Sequence, residues 1–279
     1  MGSKSRFQQS RLRRLVADVL LVIAAVVSLF PILWMLWTAF KPAELAYQPD
    51  RFGVTPTVES FRIVFAETEI VRIFINTFVI ATLTTVISLL VGGFAAYAIT
   101  RFRTFGGKTY GLFLLPVVIP PMTLAVSLFF VLNVAGFTNT RPAIVFAQLS
   151  FGIPFAVWFL TDFFQELPVT LEEAAMVDGD SRIEAILFVL LPNIRNGIFA
   201  SGIFIFIYAW NNFLYPLLLS TGTQARTLPV EINNFNTFEG LLVAEMSAAI
   251  VITIVPVLVL AFFAQSYLVS GISASSGID

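Results

Sequence analysis

Long apolar stretches alternate with short polar ones along this chain. No Asp, Glu, Lys or Arg occurs within residues 19–40, 73–100, 109–140, 142–161, 196–225 or 246–278. Each run holds the roughly 20 apolar residues that a membrane-spanning helix needs. Lipid offers no partner for backbone N–H and C=O groups, so such runs cross as helices. The pattern predicts an all-α polytopic membrane protein with six transmembrane helices, near residues 15–40, 73–100, 109–135, 142–161, 198–220 and 246–268. Prolines within the spans (Pro31, Pro116, Pro120, Pro121, Pro154, Pro216 and Pro256) predict bent helices in a packed bundle. Composition agrees: 58% of residues are hydrophobic and 12% charged, against about 25% charged in a soluble domain.

The placement of charge orients the spans. Lys4, Arg6, Arg11, Arg13 and Arg14 precede the first, and Arg101, Arg103 and Lys108 sit in the short loop "RFRTFGGK" after the second. Basic loops stay on the cytoplasmic side. Alternation then puts both termini and the segment 162–197 in the cytoplasm, and residues 41–70, 136–141 and 221–241 outside. A cleavable signal peptide has a shorter apolar core, so the first span reads as retained. The proline-rich segment 41–70 reads as a tether rather than a cap, and Trp34, Trp37 and Trp158 as interfacial belt residues.

Cysteine and histidine are absent, which excludes disulfides, thiolate nucleophiles and the usual zinc, haem and iron–sulfur ligand sets. No G-x-x-x-x-G-K-[ST] occurs, so any ATP is hydrolysed elsewhere. The charge-free spans offer neither a carboxylate pair nor a Ser/Lys dyad, so no catalytic residue and no metal site are expected. An ion-gradient-driven secondary transporter or channel subunit is the alternative reading, but it calls for charged groups along the spans. Here the acids gather at span ends and in one loop. Lipid is an implied partner; nucleic acid is not.

That loop carries the most explicit local signals. Thr170-Leu-Glu-Glu173 and Ser181-Arg-Ile-Glu184 both have the spacing of a capping box. Pro168 restrains the entry, and Gly179 stands where a helix end favours positive φ. The prediction is a helix at 171–178, a glycine turn, and a second helix of about ten residues ending near Pro192. The first helix is too short to stand alone, since isolated helices under about 12 residues are marginal in water. Ala174 and Ala175 let another surface approach closely, while Glu172, Glu173 and Asp178 offer charge to basic groups. Interfacial helices carry Lys and Arg on their polar face, so docking onto another protein fits better than resting on lipid.

Glu173-Ala174-Ala175-x3-Gly179-x9-Val189-x-Leu191-Pro192 resembles the EAA signature of bacterial ABC importer permeases, with Val189 in place of the usual Ile. The resemblance extends over most of the chain to the carbohydrate importer permeases of the MalG-like family. It runs through "FPILWMLWTAFKP" (30–42), "INTFVIA" with "AAYAITRF", "YAWNNFLYPLLL" and "AQSYLVSGISA". Asn196 and Asn212 depart from the family's common proline and acidic residue.

The resemblance implies the type I ABC importer permease fold in a bacterial cell membrane. It divides the chain into residues 1–70 (tail, first helix and outer loop), a five-helix core at 71–268, and a cytoplasmic tail at 269–279. It also implies a homologous second permease, two ABC ATPase subunits that bind ATP-Mg, and an extracytoplasmic sugar-binding protein; this chain itself binds no cofactor. Glu172, Glu173, Ala174, Ala175, Asp178, Gly179 and Pro192 become the ATPase-coupling residues. Among the polar side chains within spans (Asn76, Asn133, Gln148, Tyr208, Trp210, Asn211 and Asn212), Tyr208, Trp210, Asn211 and Asn212 are the candidates for a sugar path. For any single one of these, a bond between helices is the competing role.

Overall fold

The structure, a computed structural model, describes residues 3–102, 107–238 and 240–275; Arg103 and the end of the predicted tail, 276–279, lie outside the described residues. It is helical almost throughout. Among the described residues, four helices are individually long and apolar enough to cross a membrane: the apolar part of α1 (Ser3–Ala39), α3 (Ile70–Phe102), α6 (Arg141–Glu166) and the start of α11 (Val243–Ser275).

The third and fifth predicted spans are each divided, which the run lengths did not foretell. The third is α4 (Gly107–Val118) followed by α5 (Pro121–Val134). Pro120 and Pro121 supply no N–H to the preceding turn, and Pro120 takes an extended ψ of 130° that starts a new helix. The fifth is α9 (Arg195–Asn211) and the short α10 (Leu214–Leu219), broken at Asn212 in an extended conformation. Between α6 and α9 lie α7 (Val169–Val177) and α8 (Arg182–Asn193), and α8 meets α9 at a 78° bend.

The chain forms two compact units, residues 1–68 with 235–252, and residues 69–234 with 253–279. In the first, α1 leads into the expected outer segment. That segment holds a 3₁₀ turn at Ala43–Leu45 and α2 (Glu59–Glu67), more order than a tether implies. Lys41, 1% exposed, donates to the Gln48 carbonyl at 3.1 Å and lies 5.5 Å from the Trp34 ring. Strands β1 (Asn236–Thr237) and β2 (Gly240–Leu241) form a small antiparallel hairpin.

In the second unit α3 is the axis. Its buried line of Thr77, Ala81, Thr84, Ser88, Gly92 and Ala96 is made of small side chains. Between membrane helices there is no hydrophobic gain to be had, so small residues that let backbones approach do the packing. A Cβ on Gly92 would sit 2.5 Å from the Ala156 Cβ of α6, and one on Gly152 of α6 2.2 Å from Ser88 Oγ. Polar bonds fasten the same helices. Thr84 donates to Gln148 Oε1 at 3.0 Å, and Gln148 Nε2 donates to the Ala209 carbonyl of α9 at 3.3 Å. Asn76 Nδ2 bonds the carbonyls of Gln224 and Arg226, each at 3.0 Å, while its Oδ1 accepts from Arg141 Nε at 2.8 Å. Asn76 and Gln148 are thus ties between segments of this chain.

Candidate coupling site

The loop after α6 begins at Pro168, whose ψ of 137° ends the preceding turn and opens α7 two residues earlier than the spacing suggested. The Pro168 carbonyl accepts from the Leu171 amide at 3.2 Å. Thr170 therefore lies inside the helix and forms no cap. The predicted capping box to Glu173 is absent, because an N-cap hydroxyl works only at the non-helical position before the first turn. The second box is present in both halves: Ser181 N–H donates to Glu184 Oε2 at 2.8 Å, and the Glu184 amide donates to Ser181 Oγ at 3.4 Å. These bonds hold the Glu184 carboxyl below its ordinary range.

Between the two helices, Gly179 adopts φ 109°. Its N–H donates to the Met176 carbonyl at 3.3 Å and the Asp180 N–H to the Ala175 carbonyl at 3.0 Å, a Schellman closure of α7. The helix after it is longer and less regular than predicted. Ala185–Leu190 form a π turn, and Leu191–Asn193 resume the α pattern. Pro192 has no N–H to give to the Phe188 carbonyl, so the ladder cannot run through it undisturbed.

The side chains of α7 divide sharply. Glu172 and Ala175 are the two that are buried. Glu172 Oε1 accepts from Tyr97 Oη at 2.5 Å and lies 3.6 Å from Arg182 Nε, while its Oε2 accepts from Arg101 Nε at 3.1 Å. Arg101 Nη1 donates onward to the Leu167 carbonyl at 3.2 Å, and the Arg182 guanidinium lies 5.0 Å above the Phe102 ring. A buried carboxylate requires such pairing, since an uncompensated one is too costly to keep. Glu173, Ala174, Asp178, Gly179 and Pro192 are exposed, and Val177 is 86% exposed. The motif glutamate thus points away from the bundle while its neighbour is locked into it. Sequence reading grouped the two together; the signal it passed over is Tyr97-x3-Arg101, one turn apart at the end of α3, facing an acid pair.

The sugar-path candidates surround the break between α9 and α10 but do not form one surface. The Tyr208 ring stacks on Phe151 of α6 at 4.0 Å and 25°. Asn212 Oδ1 accepts from the Tyr215 amide at 3.2 Å, and Asn211 is exposed, with Nδ2 donating to the Ile207 carbonyl at 2.9 Å. Trp210 is fully buried on the opposite side: Nε1 donates to the Thr253 carbonyl at 3.2 Å, and Phe74 and Phe206 lie 5.5 and 5.7 Å away.

A helical membrane bundle with divided spans, and a short helix held beside it by one buried carboxylate, agrees with the transport permease that the sequence signature led us to expect. Residues 88–274 match the binding-protein-dependent transport system inner membrane component family. The chain belongs to that family, as its motif led us to expect. It is 30% identical over 269 residues to the trehalose/maltose transport system permease protein MalG of Thermococcus litoralis, covering 95% of this chain and 97% of that one. It is 33% identical to the sulfoquinovosyl glycerol transport system permease protein SmoH of Agrobacterium fabrum, covering 98% and 95%. The fold matches a chain of a bacterial ABC transporter involved in import of the acidic polysaccharide alginate, with TM-score 0.77, 20% identity and coverage of 93% and 97%.

Proposed function

We propose that this chain pairs with a homologous permease to form the path of a sugar or related polyol, and that α7 is the lever through which two ATPase subunits drive it. The observation that carries the reading is the arrangement of α7. It is closed at its C-terminal end by Gly179, small on its outer face at Ala174 and acidic there at Glu173 and Asp178, while Glu172 and Ala175 tie its other face to the bundle. The names of the trehalose/maltose and sulfoquinovosyl glycerol relatives support a carbohydrate cargo. ATP-Mg belongs to the partner subunits, and an extracytoplasmic binding protein delivers the solute. Both termini and α7 lie in the cytoplasm on this reading, as the basic flanks require.

For the path itself, Asn211, Asn212 and the Tyr208 ring sit where a helix is interrupted, and interrupted helices in transporters tend to line a cavity. An exposed amide such as Asn211 at that depth calls for water or a polar partner rather than lipid. Trp210 fixes the helix from behind. Reconstitution with the partner permease, the ATPases and the binding protein tests the proposal. Uptake that requires ATP supports it; uptake driven by a proton or sodium gradient without ATP refutes it.

A further inference from the structure

We infer that the Glu172–Arg101 pair, not the motif residue Glu173, transmits the movement of α7 to α3. The inference rests on the coupling role proposed above and names the residues within it. Of the nine residues of α7, only Glu172 and Ala175 are buried, and the polar bonds from α7 to α3 converge on Glu172. That one carboxylate gathers four elements: Tyr97 and Arg101 of α3, the end of α6 through the Arg101 bond to Leu167, α7 itself, and Arg182 at the start of α8. Its side chain is 6% exposed and that of Arg101 7%. Sliding the two charges apart without water would leave both unpaired in a low-dielectric site, so the pair resists shear far better than apolar contacts do.

The remaining geometry fits a transmitting joint. Among the described residues, Arg101 Nη2 is buried with no hydrogen-bond partner, and Glu172 is the acid that pairs with Arg101. Tyr97 packs edge-on against Phe164 of α6 and Phe102, each 5.9 Å away, which fixes the ring that donates to Glu172. Beyond the joint, α3 packs along α6 through small residues, so a shift of its end is carried into the bundle rather than absorbed. Glu173 and Val177 stay exposed for the motor.

The test uses the complete transporter reconstituted with its ATPases and binding protein. Glu172→Gln keeps the shape and the acceptor for Tyr97 but removes the charge. The ATP hydrolysed per sugar imported should rise by about tenfold or more, while Glu173→Gln should instead weaken ATPase copurification. The exchange Glu172→Arg with Arg101→Glu should recover much of the lost ratio, which a residue serving stability alone has no reason to do. A second readout, independent of how well Glu172→Gln assembles, comes from spin labels at the exposed Val169 and Phe94 in the otherwise native chain. Their separation should stay constant between nucleotide-free and ATP-trapped states. A wild-type ratio in Glu172→Gln, or a separation that changes by more than about 5 Å, overturns the inference. Failure of the wild-type chain to copurify with an ATPase overturns the coupling role itself.

Discussion

Replacing Gly179 with alanine isolates the backbone cost of the turn that closes α7. Its φ of 109° is a conformation that L side chains rarely adopt, and a Cβ there would meet nothing within 4 Å. No clash adds to the cost and no packing offsets it, so the change is backbone strain alone, about 1–2 kcal/mol. That strain falls on a nine-residue helix with two buried side chains, which has little local stability to draw on. A shift of this size corresponds to about 5–30-fold in the local opening equilibrium. Hydrogen exchange reads it directly at the amides of Gly179 and Asp180, which donate to Met176 and Ala175 in the closed turn. Residue 180 should exchange about 5–30-fold faster, with the amides of α3 unaffected. Gly111→Ala is the control: that glycine lies in α4 with no neighbour near its Cβ, so alanine should be neutral or stabilising by about 0.5–1 kcal/mol. Unchanged exchange at Asp180 in Gly179→Ala would refute the strained closure.

Other expectations follow from single contacts. Gly152→Ala brings a Cβ within 2.2 Å of Ser88 Oγ and should cost about 1–3 kcal/mol by overpacking, seen as a lower melting temperature in detergent. Ser88→Ala should relieve part of that loss, since among the described residues the Ser88 hydroxyl is buried without a partner. Trp210→Ala should cost about 3–5 kcal/mol, whereas Trp210→Phe, which loses chiefly the bond to Thr253, should cost about 0.5–1.5 kcal/mol; denaturation of the purified protein separates them. The capping box gives a pH dependence. The Glu184 carboxyl is held below its ordinary 4.5, so its contribution is whole above that value and is lost as pH falls through the lowered one. Exchange at the start of α8 should be insensitive to this group between about pH 6 and 8 and lose its protection only in acid; loss of protection near neutrality would contradict the assignment.

Much of this architecture was legible because a bilayer enforces it. Charge-free runs located the long helices, and Gly179 and the Ser181 box marked the turn and restart of the segment between α6 and α9, since each solves a local backbone problem that residue type reveals. The errors arose where a neighbour outranked the local signal. Thr170 had capping-box spacing, yet Pro168 had already started the helix. Pro120 and Pro121 appeared as kinks in one span but separate two helices. Glu172 and Glu173 look alike in sequence, and only the approach of Tyr97 and Arg101 from a helix some 70 residues earlier tells them apart. Trp210 illustrates the same limit, because an aromatic ring in a span reads equally well as a contact for cargo or as packing, and its bond to Thr253 supports the latter.

The chain contains no cysteine, so a single Val177→Cys supplies a unique probe of whether α7 is gripped by a cytoplasmic motor. A membrane-impermeant thiol reagent should label it in inside-out vesicles stripped of the ATPases, and bound ATPase subunits should protect it. Labelling from outside intact cells, or no protection by the ATPases, would contradict the assignment of α7 as the lever.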